Sequence, residues 1–166
     1  MNALLGLFGN ILIFRKGPKD VPHSGLLLGI LISLDLLFSS MLGAMDLSLG
    51  AAVFQSMLSL GLMAVFLFIT LKFSNKSERF LKTFTTTTGV DVLMTLFGMM
   101  AVGLGEGGGA HMLWSFLGLM LWQIAILAHI LRESLSGRLL PSIGLSLTYT
   151  VLAYRVMMLV VPFPAA

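Results

Sequence analysis

The most constraining feature of this sequence is a series of long apolar runs separated by short connections. A helix needs roughly 20 mostly apolar residues to cross about 30 Å of hydrocarbon. The runs that reach this length are Ser24–Ala44, Gly50–Leu71, Thr85–Leu104, Met112–Leu131 and Leu140–Val161. They lack the period-two alternation of membrane β-strands, and lipid leaves helices as the other way to satisfy the backbone. The sequence therefore predicts an all-α membrane protein, a bundle of five transmembrane helices.

The composition indicates that lipid, and not water, surrounds most of this chain. The 166 residues are 57% hydrophobic and only 10% charged, whereas a soluble domain carries about 25% charged residues. A soluble chain of this size could not hide so much apolar surface, because small proteins expose a large share of their residues. We expect one transmembrane domain over residues 24–161, an N-terminal segment over 1–23 and a C-terminal tail over 162–166.

The N-terminal segment has a helical pattern of its own. Apolar residues recur at helical spacing over Met1–Phe14, and Arg15 and Lys16 follow at once. The run is too short to span a bilayer, so it predicts an amphipathic helix in the cytoplasmic interface, with its basic end near anionic headgroups. Pro18 and Pro22 then end the helix. Because the apolar residues precede the positive charges, the reverse of a signal peptide, we expect no cleaved leader.

Basic residues predict the orientation. Of the 10 Lys and Arg residues, all but Arg155 fall on the same side of the five predicted spans. These nine are Arg15, Lys16, Lys19, Lys72, Lys76, Arg79, Lys82, Arg132 and Arg138. The positive-inside rule makes that side cytoplasmic, with the N-terminus inside and the C-terminus outside. The basic charge then reflects topology, and we expect no nucleic-acid partner.

Three ionisable side chains fall inside the predicted spans, where they are costly and therefore informative. Asp35 lies about 16 Å into the first span and Asp91 about 13 Å past Lys82, both near the midplane at 1.5 Å per residue. Arg155 lies about 10 Å below the outer surface by the same rise. We expect all three to face the interior of the bundle.

Thr87, Asp91 and Thr95 share one helix face at i, i+4 spacing. Since the two threonine hydroxyls can donate hydrogen bonds to Asp91, we expect Arg155 to pair with Asp35 instead. Two interpretations remain open for this predicted polar network. One is an interhelical polar clamp, which we favour because such contacts commonly hold membrane helices together. The other is a proton or cation relay.

Gly25, Gly29 and Ser33 form a small-xxx-small series in the first span. Small residues at this spacing allow two helices to approach closely. The contact they predict is either within the chain or between copies.

The sequence carries no set of residues that would support catalysis or metal binding. It has no cysteine, and no two of His23, His111 and His129 share a metal-ligand spacing. The glycine-rich stretch 103–109 lacks the Lys-Ser/Thr of a phosphate-binding loop and predicts a flexible turn. We therefore expect no enzyme activity, no cofactor and no metal.

The layout resembles the small bacterial members of the Yip1-like membrane protein family. The likeness rests on the stretches 15–24 and 79–84 and on five spans with a basic loop between the second and third. It implies an inner-membrane, non-enzymatic protein. The Asp-Leu-Tyr-Gly-Pro and Gly-Tyr signatures of the eukaryotic relatives are absent, so no functional residue or partner transfers.

The function that we predict is an accessory, scaffold or assembly subunit acting through helix packing. Its partners would be the lipid bilayer and other membrane subunits or copies of itself. The alternative is a small proton-linked transporter or channel that uses Asp35 and Asp91.

Overall fold

The structure, a computed structural model, describes residues 2–104 and 110–160, and it confirms the all-α membrane-type bundle. The helices are α1 (Asn2–Leu12), α2 (Gly25–Gly43), α3 (Leu49–Phe73), α4 (Phe80–Leu104), α5 (Ala110–Leu135) and α6 (Leu139–Val160). Short 3₁₀ turns occupy Pro18–Asp20 and Ser77–Arg79. The five helices α2 to α6 are long and apolar enough to cross a membrane. The chain is therefore a multi-pass helical membrane protein.

Helices α3, α4 and α5 are longer than the apolar runs that predicted them, and α4 and α5 show the largest extensions. Helix α4 begins at Phe80 instead of Thr85, and α5 continues to Leu135 instead of Leu131. The apolar runs stop near charged residues, but a helix satisfies its own backbone and does not need lipid to continue. The long stems of Lys and Arg also let their charges reach water from the end of a span.

Helix α4 lies at the centre of the bundle. It packs against α1, α2, α3 and α5, and every residue from Thr83 to Val90 is buried. Threonine side chains are small enough for neighbours to approach on all sides of this segment. Their hydroxyls donate within the helix, as from Thr85 Oγ1 to the Leu81 carbonyl at 2.7 Å. Most of these buried hydroxyls are thereby satisfied within their own helix, and Thr83 also bonds to Ser134 of α5.

Helix α1 is present and short, as expected, but its apolar face is covered by protein. Leu7, Phe8, Ile11 and Leu12 are buried in a core cluster that also contains residues of α2, α4 and α5. The Phe8 ring lies against Gly89, where an added Cβ would come within 2.2 Å of it. The Trp122 indole donates to the Leu12 carbonyl at 3.1 Å. Neighbouring helices therefore cover this apolar face, which local periodicity could not show, and the expected position of α1 in the membrane interface stays a prediction.

Segments that lie far apart in the sequence meet at one end of the bundle. Lys19 forms an ion pair with Glu133 at 3.2 Å, and the Arg79 guanidinium donates to the Ser134 carbonyl at 2.9 Å. The connections 13–24, 74–79 and 136–138 therefore share this end, which we call the basic end. It contains the nine basic residues that the sequence placed on one side.

Candidate functional site

Four polar side chains from different helices converge inside the bundle. They are Asp35 of α2, Asp91 of α4, Gln123 of α5 and Tyr149 of α6, and we call them the polar cluster. The Gln123 amide donates to the Asp91 carboxylate. Asp35 is close enough to Asp91 for their charges to interact, and the Tyr149 hydroxyl is within electrostatic reach of both. The hydrogen bond between Gln123 and Asp91 joins α5 to α4, and Asp35 and Tyr149 lie close by on α2 and α6.

Packing explains why these side chains meet. Helices α2 and α4 lie along each other, so the two aspartates, at similar depth, approach from neighbouring helices. Asp35 is only 7% exposed and also accepts a hydrogen bond from Ser39, one turn further along α2. Tyr149 is held by its ring contact with Phe66 of α3, with ring centroids 4.9 Å apart.

A small cavity lies beside Asp91 and Gln123. Its volume is about 10 Å³, which is near the lower limit for a single water molecule. It is lined by Met63, Thr87, Val90, Asp91, Gln123, Ile126, Leu127 and Ile130. The Gln123 Oε1 atom is buried and has no hydrogen-bond partner among the described residues. The cavity therefore has room for at most one water molecule and none for a larger solute.

Arg155 does not belong to this cluster, and the predicted pairing with Asp35 or Asp91 was wrong. Its side chain is exposed on α6. The ion pairs of the described ranges are Lys19 with Glu133 and Arg79 with Glu78, so neither aspartate has a cationic partner there. The helix period placed Arg155 at a plausible depth, but α6 lies at the edge of the bundle and turns this residue outward.

The two predicted threonine donors also do not serve Asp91. Thr87 is buried and lines the small cavity, but its hydroxyl donates to the Phe84 and Thr83 carbonyls at 3.0 and 3.2 Å. Thr95 is half-buried and makes no hydrogen bond through its side chain in the described structure. The donor to Asp91 comes from a different helix, Gln123 on α5.

The small-residue series faces away from the bundle. Gly25, Gly29 and Ser33 are all exposed, and a Cβ added at either glycine would meet nothing within 4 Å in the described structure. The Ser33 hydroxyl is satisfied by the Gly29 carbonyl at 3.0 Å. The structure therefore does not use this series for packing between its own described helices.

Sequence reasoning missed Gln123 and Tyr149. Both are polar residues inside otherwise apolar runs, and that was the available signal. Their partners lie on other helices, so spacing along one helix could not identify them. The glycine-rich stretch over 105–109, the tail over 162–166 and the side chain of His111 lie outside the described residues.

No family model matches the chain, and no curated protein or solved structure is detectably similar to it. The resemblance to Yip1-like proteins therefore stays a prediction. Within residues 2–104 and 110–160, no group of three His, Cys, Asp or Glu residues is arranged to hold a metal ion.

Proposed function

We propose that this chain is a non-enzymatic integral membrane protein that acts as an accessory, scaffold or assembly subunit through helix packing. The observation that carries the proposal is the outward-facing series Gly25, Gly29 and Ser33. A small-xxx-small face allows close backbone approach between helices, and here that face is left open by the chain's own described helices. A second copy or another membrane subunit would pack against it.

The test is co-purification of the full chain from native membranes in a mild detergent. Gly29→Leu adds a bulky side chain to the open face, so we expect the recovered complex to fall by about tenfold or more, the equivalent of roughly 1.4 kcal/mol. Two differently tagged copies of the chain distinguish self-association from a different subunit.

Gly144→Leu is the matched control. Gly144 is an exposed glycine of α6 with nothing within 4 Å of an added Cβ. Gly144→Leu therefore adds the same side chain to an open position on a different helix. Equal losses from both variants, or no loss from either, would contradict packing through α2.

The second candidate is a small proton-linked transporter or channel. It is favoured by the convergence of Asp35 and Asp91 with no cationic side chain paired to them in the described ranges. Burial of a carboxyl group in a low-dielectric interior favours its neutral form, which can give up and regain a proton. The Gln123 amide would orient the Asp91 carboxyl group in such a relay through its hydrogen bond.

Proteoliposomes that contain a pH-sensitive dye test this candidate. If the relay operates, Asp91→Asn abolishes proton flux driven by a pH gradient, while Asp46→Asn in the exposed α2–α3 connection leaves it unchanged. A wild-type flux no higher than that of empty vesicles would reject the relay and leave the polar cluster as an interhelical clamp.

We also propose an inner-membrane location with the N-terminus in the cytoplasm and the C-terminus outside. The nine basic residues at the basic end support this orientation through the positive-inside rule. A reporter fused after Ala166 should be active outside the cytoplasm, and activity only in the cytoplasm would reverse the assignment.

A further inference from the structure

The basic end of the bundle contains a large open cavity that neither proposed function uses. Its volume is about 720 Å³, within the range of about 300–1,000 Å³ that is typical of small-molecule sites. Four basic side chains line it, Lys19, Arg79, Lys82 and Arg132, together with the acidic Glu78 and Glu133. We call it the basic pocket.

Half of this positive charge is already compensated. Lys19 pairs with Glu133 at 3.2 Å, and Arg79 lies 3.8 Å from Glu78. Lys82 and Arg132 form no ion pair and no side-chain hydrogen bond with any described residue. Four basic and two acidic groups therefore leave a surplus of two positive charges, and that surplus belongs to Lys82 of α4 and Arg132 of α5.

The walls of the pocket are held in place by hydrogen bonds between segments. Arg79 donates to the Ser134 carbonyl at 2.9 Å and to the Ser136 hydroxyl at 2.8 Å. The Thr83 and Ser134 hydroxyls bond to each other at 2.9 Å and join α4 to α5 beneath the pocket. Gly17 lies against the Glu133 side chain, where an added Cβ would be 3.1 Å from Cγ. The chain from Gly17 onward thus closes a third side.

The unpaired cations are not needed to stabilise the end of α5. Its last carbonyl groups carry partial negative charge and attract cations. Lys76 donates to the Leu135 carbonyl, and Arg79 donates to the Ser134 carbonyl. The carbonyl groups at the end of α5 therefore already have cationic donors. Lys82 and Arg132 remain available to an external anion.

We propose that the basic pocket binds the phosphate group of an anionic ligand between Lys82 and Arg132. Two cationic side chains on different helices can contact separate oxygen atoms of one phosphate, and arginine suits phosphate geometry. In the orientation proposed above, the pocket lies at the cytoplasmic end of the spans, near the headgroup phosphates, and basic pockets between transmembrane helices bind anionic headgroups. The phosphate belongs either to a phospholipid headgroup or to a soluble phosphoryl compound.

Binding of short-chain phosphatidylglycerol to the purified full-length chain, measured by native mass spectrometry and titration, tests the proposal. Phosphatidylcholine with the same acyl chains is the zwitterionic comparison. We expect Lys82→Gln with Arg132→Gln to weaken phosphatidylglycerol binding by about tenfold or more. The matched control, Lys72→Gln with Arg138→Gln, removes one Lys and one Arg near the same end but outside the pocket, and it should change binding by less than about twofold.

A competition arm separates the two sources of phosphate. If millimolar inorganic phosphate displaces the lipid and raises the unfolding temperature, the site takes soluble phosphoryl groups. If inorganic phosphate has no effect while phosphatidylglycerol still binds, the ligand is a headgroup. Equal affinity for the two lipids would overturn the proposal, as would equal losses in the pocket pair and the control pair.

A salt titration of the unmodified chain tests the proposal even if the variants misfold. Phosphatidylglycerol binding through Lys82 and Arg132 must weaken as sodium chloride is raised, because ions screen charge interactions. Binding that is insensitive to salt would overturn the proposal even if the pocket pair cannot be produced.

Discussion

Helices α4 and α6 are both long enough to span a membrane, yet they occupy opposite environments. In the most apolar stretch of each, 44% of the α4 residues are buried, against 11% for α6. The buried helix is also the least hydrophobic of the five spans. In lipid there is no reason for the most apolar helix to seek the centre, since lipid tails are as apolar as leucine. Small and hydroxyl-bearing residues, which pack closely, identify the central helix instead.

The largest effect should come from adding volume to the buried face of α4. Gly89→Leu forces its side chain into the space of the Phe8 ring, which is itself 4% exposed. We expect a loss of about 1–3 kcal/mol in the free energy of unfolding from overpacking. Thermal unfolding in detergent measures this, and proteolysis of the N-terminal segment would report whether α1 is displaced.

Gly144→Leu in α6 provides the comparison for that change. It adds the same side chain to an exposed helix position with open space around it, so its effect should stay within about 0.5 kcal/mol. If the two substitutions cost the same, the contrast between α4 and α6 does not hold in solution.

The polar cluster gives a second contrast, of similar size, between a side chain that bonds to α4 and one exposed on α6. Gln123→Leu removes the hydrogen-bond donor to Asp91 of α4 and should cost about 1–3 kcal/mol, because a buried acceptor is left unsatisfied. Arg155→Met on α6 removes an exposed side chain that has no bond to the described residues, and it should cost less than about 0.5 kcal/mol. A larger loss from Arg155→Met, measured by unfolding in detergent, would restore an interior role for the arginine.

The sequence predicted the number, type and order of the spanning helices, because length and hydropathy are properties of each segment alone. It also predicted that the basic residues collect on one side, since short connections fix the alternation of helices. It did not predict the environment of each helix face. Arg155 was misplaced because its surroundings depend on neighbours distant in the sequence, and Gln123 and the helices that cover the apolar face of α1 were missed for the same reason.

The smallest expected effect is the difference between a buried hydroxyl group that bonds to another helix and one that bonds only within its own helix. Thr83 of α4 bonds to the Ser134 hydroxyl of α5 at 2.9 Å, whereas Thr85 donates only to the Leu81 carbonyl of its own helix. Both are fully buried, and valine has nearly the shape of threonine. Thr83→Val should therefore cost about 0.6 kcal/mol, a typical interhelical hydrogen bond in a membrane protein. Thr85→Val should cost about half as much or less, since the Leu81 carbonyl keeps its backbone donor.

A double-mutant cycle of Thr83→Val with Ser134→Ala measures the shared bond directly. A coupling energy of zero would mean that α4 is central because its threonines are small, and that their hydroxyls add nothing between helices.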